Sequence, residues 1–205
     1  MRRLVLLLWL GLATPVLATV DGWPALYDVA GVASDDVLNI RERPDVSSPV
    51  IGTFAPDATG IEVIVANEEM TWGRVNAAER SGWVSLAYLE RRPGQWDGAL
   101  PQIQSCFGTE PFWNFTRTSA DRFRFEALGE EPFTLSVIES ASSENRRDSF
   151  HVVTEGSDGP SVAVLETEAC NDGMSDRNYG ISVQLVLGIG GGSRHISGCC
   201  SLAPQ

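Results

Sequence analysis

The spacing of the apolar residues constrains this chain most. Residues 122–126 (RFRFE) alternate without a break, so both phenylalanines face one side of an extended strand. Residues 133–137 (FTLSV) and 181–185 (ISVQL) repeat the pattern. Residues 150–153 and 162–165 flank a turn rich in glycine, serine, aspartate and proline at 156–160, which reads as a hairpin. Residues 139–148 are polar and read as a mobile hairpin loop. No stretch shows helical periodicity over three turns. A chain with this period buries its apolar face only in a sheet, and the second half is expected to form an antiparallel β-barrel or closed sandwich.

The first half carries shorter strand signals at regular intervals. Residues 37–40, 50–51, 60–65, 72–75 and 82–86 are strand candidates, separated by turn signals such as Asp35-Asp36, Pro44-Asp45, Ser47-Ser48-Pro49 and Pro56-Asp57. Short strands at this spacing suggest a small barrel over residues 26–90. Residues 91–104 hold the proline, glycine and charge of a linker, with Trp96 expected to dock on one of the flanking domains. The second domain is then 105–202.

The chain opens with Arg2-Arg3, an apolar run at 4–10 and small residues at 16–18, the pattern of a secretory signal peptide cleaved after Ala18. The apolar run is short for a membrane span. Four cysteines suit two disulfides in an oxidising compartment, and their even number favours two ordinary bridges over a vicinal Cys199-Cys200 bond. The expected location is periplasmic or secreted. Formal charge is -12, every basic residue is arginine, and loss of Arg2 and Arg3 with the leader makes it -14. Such an acidic surface disfavours nucleic acid and anionic lipid as partners and leaves a basic protein open.

Two resemblances follow from particular residues. Leu38-Asn39-Ile40-Arg41, Pro44, Val50-Ile51-Gly52, Trp72-Gly73-Arg74-Val75, Gly82-Trp83-Val84 and Tyr88-Leu89 resemble a bacterial SH3 (SH3b) domain, apart from Arg43, where the family often has a small residue before the proline. The resemblance implies a five- to six-stranded barrel of a kind that often binds cell-wall peptides or targets a larger protein. Gly108-Thr-Glu-Pro-Phe-Trp113, Cys170 with Asp172-Gly-Met-Ser-Asp176 and Tyr179, and Gly198-Cys199 resemble a family of secreted bacterial envelope domains with no settled activity. These are similar in kind to META-type and lysozyme-inhibitor-like small barrels. That resemblance implies a Cys170–Cys199 bridge, which leaves Cys106 for Cys200.

Candidate binding residues come from both halves. If the first domain has a peptide groove, Asn39, Arg41, Trp72 and Trp83 are its polar and aromatic candidates, with barrel core as the competing role for the tryptophans. In the second domain, Glu110, Trp113, Asp172, Asp176, Arg177 and Tyr179 are expected to gather, with Arg177 paired to Glu110 or Asp176, as either a binding face or a polar plug at the barrel's end. The oxygen-rich loop at 172–178 lacks the EF-hand spacing for calcium, and an Asp172-Gly173 turn is the alternative. His151 and His195 have no nucleophile motif nearby, and no Cys-x-x-Cys pair offers a zinc site. The expectation is a monomeric, non-catalytic envelope protein without cofactor or metal, binding cell-wall peptide or an envelope protein. Inhibition of a basic cell-wall hydrolase such as lysozyme is the alternative reading, and a hydrolase of unrecognised type the third.

Overall fold

The computed structural model describes residues 22–204, so the expected leader, residues 1–18, lies outside the described residues. The described chain is all-β, as its alternation predicts. Its first half forms β1 (Ala25–Val29), β2 (Leu38–Arg41), β3 (Val50–Phe54), β4 (Ile61–Val63), β5 (Val65–Ala66), β6 (Trp72–Ala77), β7 (Arg80–Ser85) and β8 (Leu89–Arg91), with a 3-10 turn at Leu86–Tyr88. These strands make two sheets, ordered β3-β2-β7-β6-β5 and β4-β1-β8. Their inward residues, among them Tyr27, Ile40, Val63, Val75 and Val84, share one buried core. Gly73 sits where a Cβ would stand 2.5 Å from the Val63 side chain, so the two sheets approach closely because that position is bare.

The second half forms β9 (Ser105–Thr109), β10 (Phe112–Ser119), β11 (Arg122–Ala127), β12 (Phe133–Ser142), β13 (Ser149–Gly156), β14 (Gly159–Glu166), β15 (Ile181–Leu187) and β16 (Arg194–Ser201). From β9 to β16 each strand pairs antiparallel with the next, and β16 returns to β9. The result is a closed barrel of eight strands rather than a sandwich, and closure leaves no free sheet edge. The interior is packed with side chains. Trp113, Phe115, Phe123, Phe125, Leu165 and Leu185 fill it, and Phe115 stacks on Phe123 with centroids 4.2 Å apart. Such pairs add about 0.5–1.5 kcal/mol beyond their burial.

Two disulfides hold this barrel. Cys106 and Cys200 stand opposite each other where β9 meets β16, and their bridge joins positions 94 residues apart. Cys170 bonds to Cys199 on β16 and fixes the start of the loop before β15. Cys170–Cys199 is the expected pairing, and Cys106–Cys200 is the pair it leaves.

The expected hairpin loop at 139–148 is confined to 143–148, between β12 and β13. Within 139–148, residues up to Ser142 extend β12, with Glu139 opposite Val153 and Ser142 opposite Phe150. Strand β13 supplies the backbone partners. The expected linker at 91–104 is anchored at both ends. Arg91 still pairs with Tyr27, while Ile103 is fully buried in the barrel core and the Gln104 amide donates to the Ser201 carbonyl at 2.8 Å. Trp96 borders a small cavity beside Trp23 and Phe150 but remains 51% exposed.

Candidate functional sites: a groove and a seam

The first site lies on the outer face of the five-stranded sheet. In β2 and β6 the residues alternate between core and surface, so Asn39, Arg41 and Trp72 leave the core on one face, with β7 between the two strands. Trp72, Asn39 and Arg41 line a groove of about 880 Å³ together with Val46, Met70 and Tyr88. Val46 is 75% exposed, Met70 52% and Tyr88 45%, a concentration of apolar surface that a folded chain ordinarily covers. Arg41 is held by a 2.7 Å bond from Nη1 to the Ser48 carbonyl, which fixes its side chain along the groove wall. Asp36 lines the groove, and Asp35, Glu68 and Glu69, all exposed, adjoin its lining residues along the chain.

Trp83 stands opposite Arg41 where β2 pairs with β7 but lines a neighbouring cavity. Arg74 stacks on its ring at 4.7 Å, and the two line a separate shallow cavity with Arg80, Asp176 and Asn178. The sequence offered four residues for one groove; the sheet carries all four on its outer face, and three of them line the groove. Val46, Met70 and Tyr88 escaped sequence reading because they sit in loops and a 3-10 turn, where periodicity carries no information about facing.

The second site is a seam between the two halves, built on the loop at 170–179. Asp172 organises the loop's tip. Its Oδ1 accepts from the Met174 and Ser175 amides, both at 2.9 Å, and its Oδ2 from the Ser175 hydroxyl at 2.8 Å. Gly173 takes φ 74°, as a tight turn at Asp172-Gly173 requires. Burial pushes the Asp172 carboxyl up, but the bonds from Ser175 and Met174 outweigh it and hold it below its ordinary value of 3.8. The carboxylate is therefore spent on the turn, the alternative to a calcium ligand. Among the described residues no group of three or more metal-ligating side chains comes together.

The loop then runs onto the β6–β7 hairpin of the first half. The Asp176 amide donates to the Glu79 carbonyl at 3.0 Å, and the Ser81 amide donates to the Asp176 carbonyl at 3.1 Å, forming a short parallel bridge. Arg177 reaches the Ala78 carbonyl from Nε at 2.6 Å and lies 3.4 Å from the Glu79 carboxylate. It pairs across the seam, in place of the expected Glu110 or Asp176. The reason is tertiary: the loop lies against the hairpin, which presents an outward carbonyl and an acid.

Glu110 is exposed in the connection between β9 and β10. Its neighbour Thr109 donates its hydroxyl to the Asp172 carbonyl at 2.9 Å, so the two motifs of the second half do meet. Trp113 and Tyr179 are each only 2% exposed. Trp113 packs in the barrel core, and Tyr179 meets Phe107 edge-on where β15 begins. Neither offers a surface to a partner, which removes both from the candidate binding residues. Of the histidines, His195 Nε2 lies 2.8 Å from the Gln184 side chain and His151 Nε2 lies 3.6 Å from Glu139.

One seam residue gave no sequence signal. Glu62 on β4 faces away from the first core and meets the Ser201 hydroxyl at the end of β16. Alternation marks it only as outward-facing, and an outward glutamate ordinarily meets water.

The chain matches no family model, no curated protein and no solved structure. Its class is set by the fold itself: an all-β protein with a disulfide-tied, closed eight-stranded antiparallel barrel. A second, two-sheet unit docks on that barrel and carries an apolar groove. No helix among the described residues is long and apolar enough to cross a membrane.

Proposed function

We propose that this is a non-catalytic protein of the bacterial envelope whose first unit is an SH3-type module that holds an extended peptide segment. The groove beside Trp72 carries the reading. Its volume of about 880 Å³ and its exposed Val46, Met70 and Tyr88 suit alternate apolar side chains of a bound strand. Asn39 and Arg41 supply polar groups for the peptide backbone. Asp36 in the lining and the exposed acids that adjoin it along the chain favour basic residues flanking the apolar ones, whether the segment belongs to cell-wall peptide or to an envelope protein. The two disulfides suit an oxidising, extracytoplasmic compartment.

The test uses the full exported chain against purified cell wall and against synthetic nonapeptides with basic or acidic flanks. Retention that Trp72→Ala lowers at least about tenfold supports the reading. Equal retention of the wild type and Trp72→Ala on every probe overturns it.

A second reading rests on the loop tip. Met174 is 67% exposed between Asp172 and Asp176, and the chain is strongly acidic, as suits entry into the cleft of a basic cell-wall hydrolase. Co-purification of a basic glycosidase that Met174→Asp releases favours inhibition over peptide capture.

A further inference from the structure

Glu62 stands opposite Leu26 where β4 pairs with β1. Both side chains leave the first core. Leu26 packs against the barrel core, and Glu62 reaches Ser201. One carboxyl oxygen, Oε1, is shut off from solvent and has no hydrogen-bond partner, although other atoms of the side chain are partly exposed. The other, Oε2, is in close contact with the Ser201 hydroxyl. That hydroxyl also lies 3.0 Å from the Ala203 carbonyl oxygen and accepts from the Ala203 amide at 3.2 Å.

The proton count separates the two states of this carboxyl. When it is neutral, the acid proton on Oε2 goes to Ser201 Oγ, and the serine proton goes to the Ala203 carbonyl. Each proton then has an acceptor, and Oε1 is an uncharged carbonyl oxygen. When it is ionised, Ser201 must turn its proton onto the carboxylate and release the Ala203 carbonyl. Oε1, shut off from solvent, then carries part of a negative charge that only the nearby Leu202 and Ala203 amides offset, the costlier arrangement.

We infer that Glu62 is a proton-operated latch: its neutral carboxyl ties the end of the barrel to the first unit, and its ionisation loosens the seam. The inference rests on the seam alone and is independent of what the groove binds. Burial holds the carboxyl above its ordinary value of 4.5, and the Ser201 hydroxyl and the Leu202 and Ala203 amides only moderate the rise. The docked state therefore keeps a proton that the undocked state releases. Docking is tightest below 4.5 and weakens as pH climbs through the raised value. Two other ionisable groups face this position. Tyr179, on the barrel side, is itself pushed up by burial, so it stays neutral while Glu62 titrates. Arg177 lines the same cavity.

Hydrogen exchange across the seam tests the latch in the full chain. Protection factors are measured for the peptide spanning 199–204 from about pH 5 to about pH 9, in the wild type and in Glu62→Gln. The glutamine keeps a donor and a carbonyl oxygen but cannot ionise. Wild-type protection is expected to fall at least about tenfold over this range, while Glu62→Gln holds level. A level wild-type profile, or the same fall in both proteins, overturns the inference. Should the variant fail to fold, carbon-13 titration of the wild-type glutamate carboxyls decides. A Glu62 midpoint above 4.5 supports the latch, and one at or below 4.5 rejects it.

Discussion

Asn76 and Asn178 bond each other across the seam. The Asn76 side-chain amide donates to the Asn178 carbonyl at 2.9 Å, and the Asn178 backbone amide donates back to Asn76 Oδ1 at 3.2 Å. Ser81 completes the knot, accepting from the Asn178 amide at 2.9 Å and donating to Asn76 Oδ1 at 2.7 Å. The β6–β7 hairpin and the barrel loop thus satisfy each other's polar groups, and each is left with open donors if the other withdraws.

Asn76→Ala therefore removes both partners of Asn178 on that side chain. The expected loss is about 1–3 kcal/mol, read as a lower melting temperature of the full chain with faster exchange at Asn178. An unchanged melt with unchanged exchange contradicts a joined seam.

The two disulfides differ in the length of chain they close. Cys106–Cys200 spans 94 positions and Cys170–Cys199 spans 29. Loop-closure entropy then makes the first the larger stabiliser, by about 1 kcal/mol on a base of about 3–4. Denaturant midpoints of the paired serine variants check the order. The Cys170–Cys199 variant is also expected to weaken the docking of the loop on Glu79 and Ser81, because Cys170 anchors the loop's start.

Two glycines separate packing from backbone strain. A Cβ at Gly198 would lie 2.0 Å from the Phe107 carbonyl oxygen, and backbone cannot yield as a side chain does. Gly198→Ala is expected to cost about 3 kcal/mol or more, forcing β16 from β9. A Cβ at Gly173 meets nothing within 4 Å, and only its φ of 74° resists substitution. Gly173→Ala is expected to cost about 1 kcal/mol. Equal losses in the two melts would contradict this division.

Asp172 sets the acid side of loop stability. Its carboxyl is held below its ordinary value in the folded loop, so its contribution is present above 3.8 and lost as pH falls through the folded value. Amide protection at Met174 and Ser175 is expected to decline in that acid range and to lose most of this dependence in Asp172→Asn. Persistence of the same acid decline in the variant would show another group to be responsible. The sign is opposite to that of Glu62, so the seam as a whole is expected to hold best in the mildly acid range.

The sequence by itself determined the all-β class, because a period of two admits burial of one face only in a sheet. It also marked the Asp172-Gly173 turn, since that pair supplies a short acceptor and a residue free to take positive φ. Closure into a barrel was a tertiary decision. Residues 181–185 alternate equally well in a sandwich, and only the return of β16 to β9 settles the topology. Tertiary structure also decided what each outward residue meets. Trp113 and Tyr179 share the aromatic character of Trp72, yet they are buried and Trp72 lines a groove. Glu62 looks like a surface charge along the chain, and Arg177 like a partner for Glu110 or Asp176. They become seam residues because two units bring distant backbone against them, and alternation records which side a residue takes, never what stands on that side.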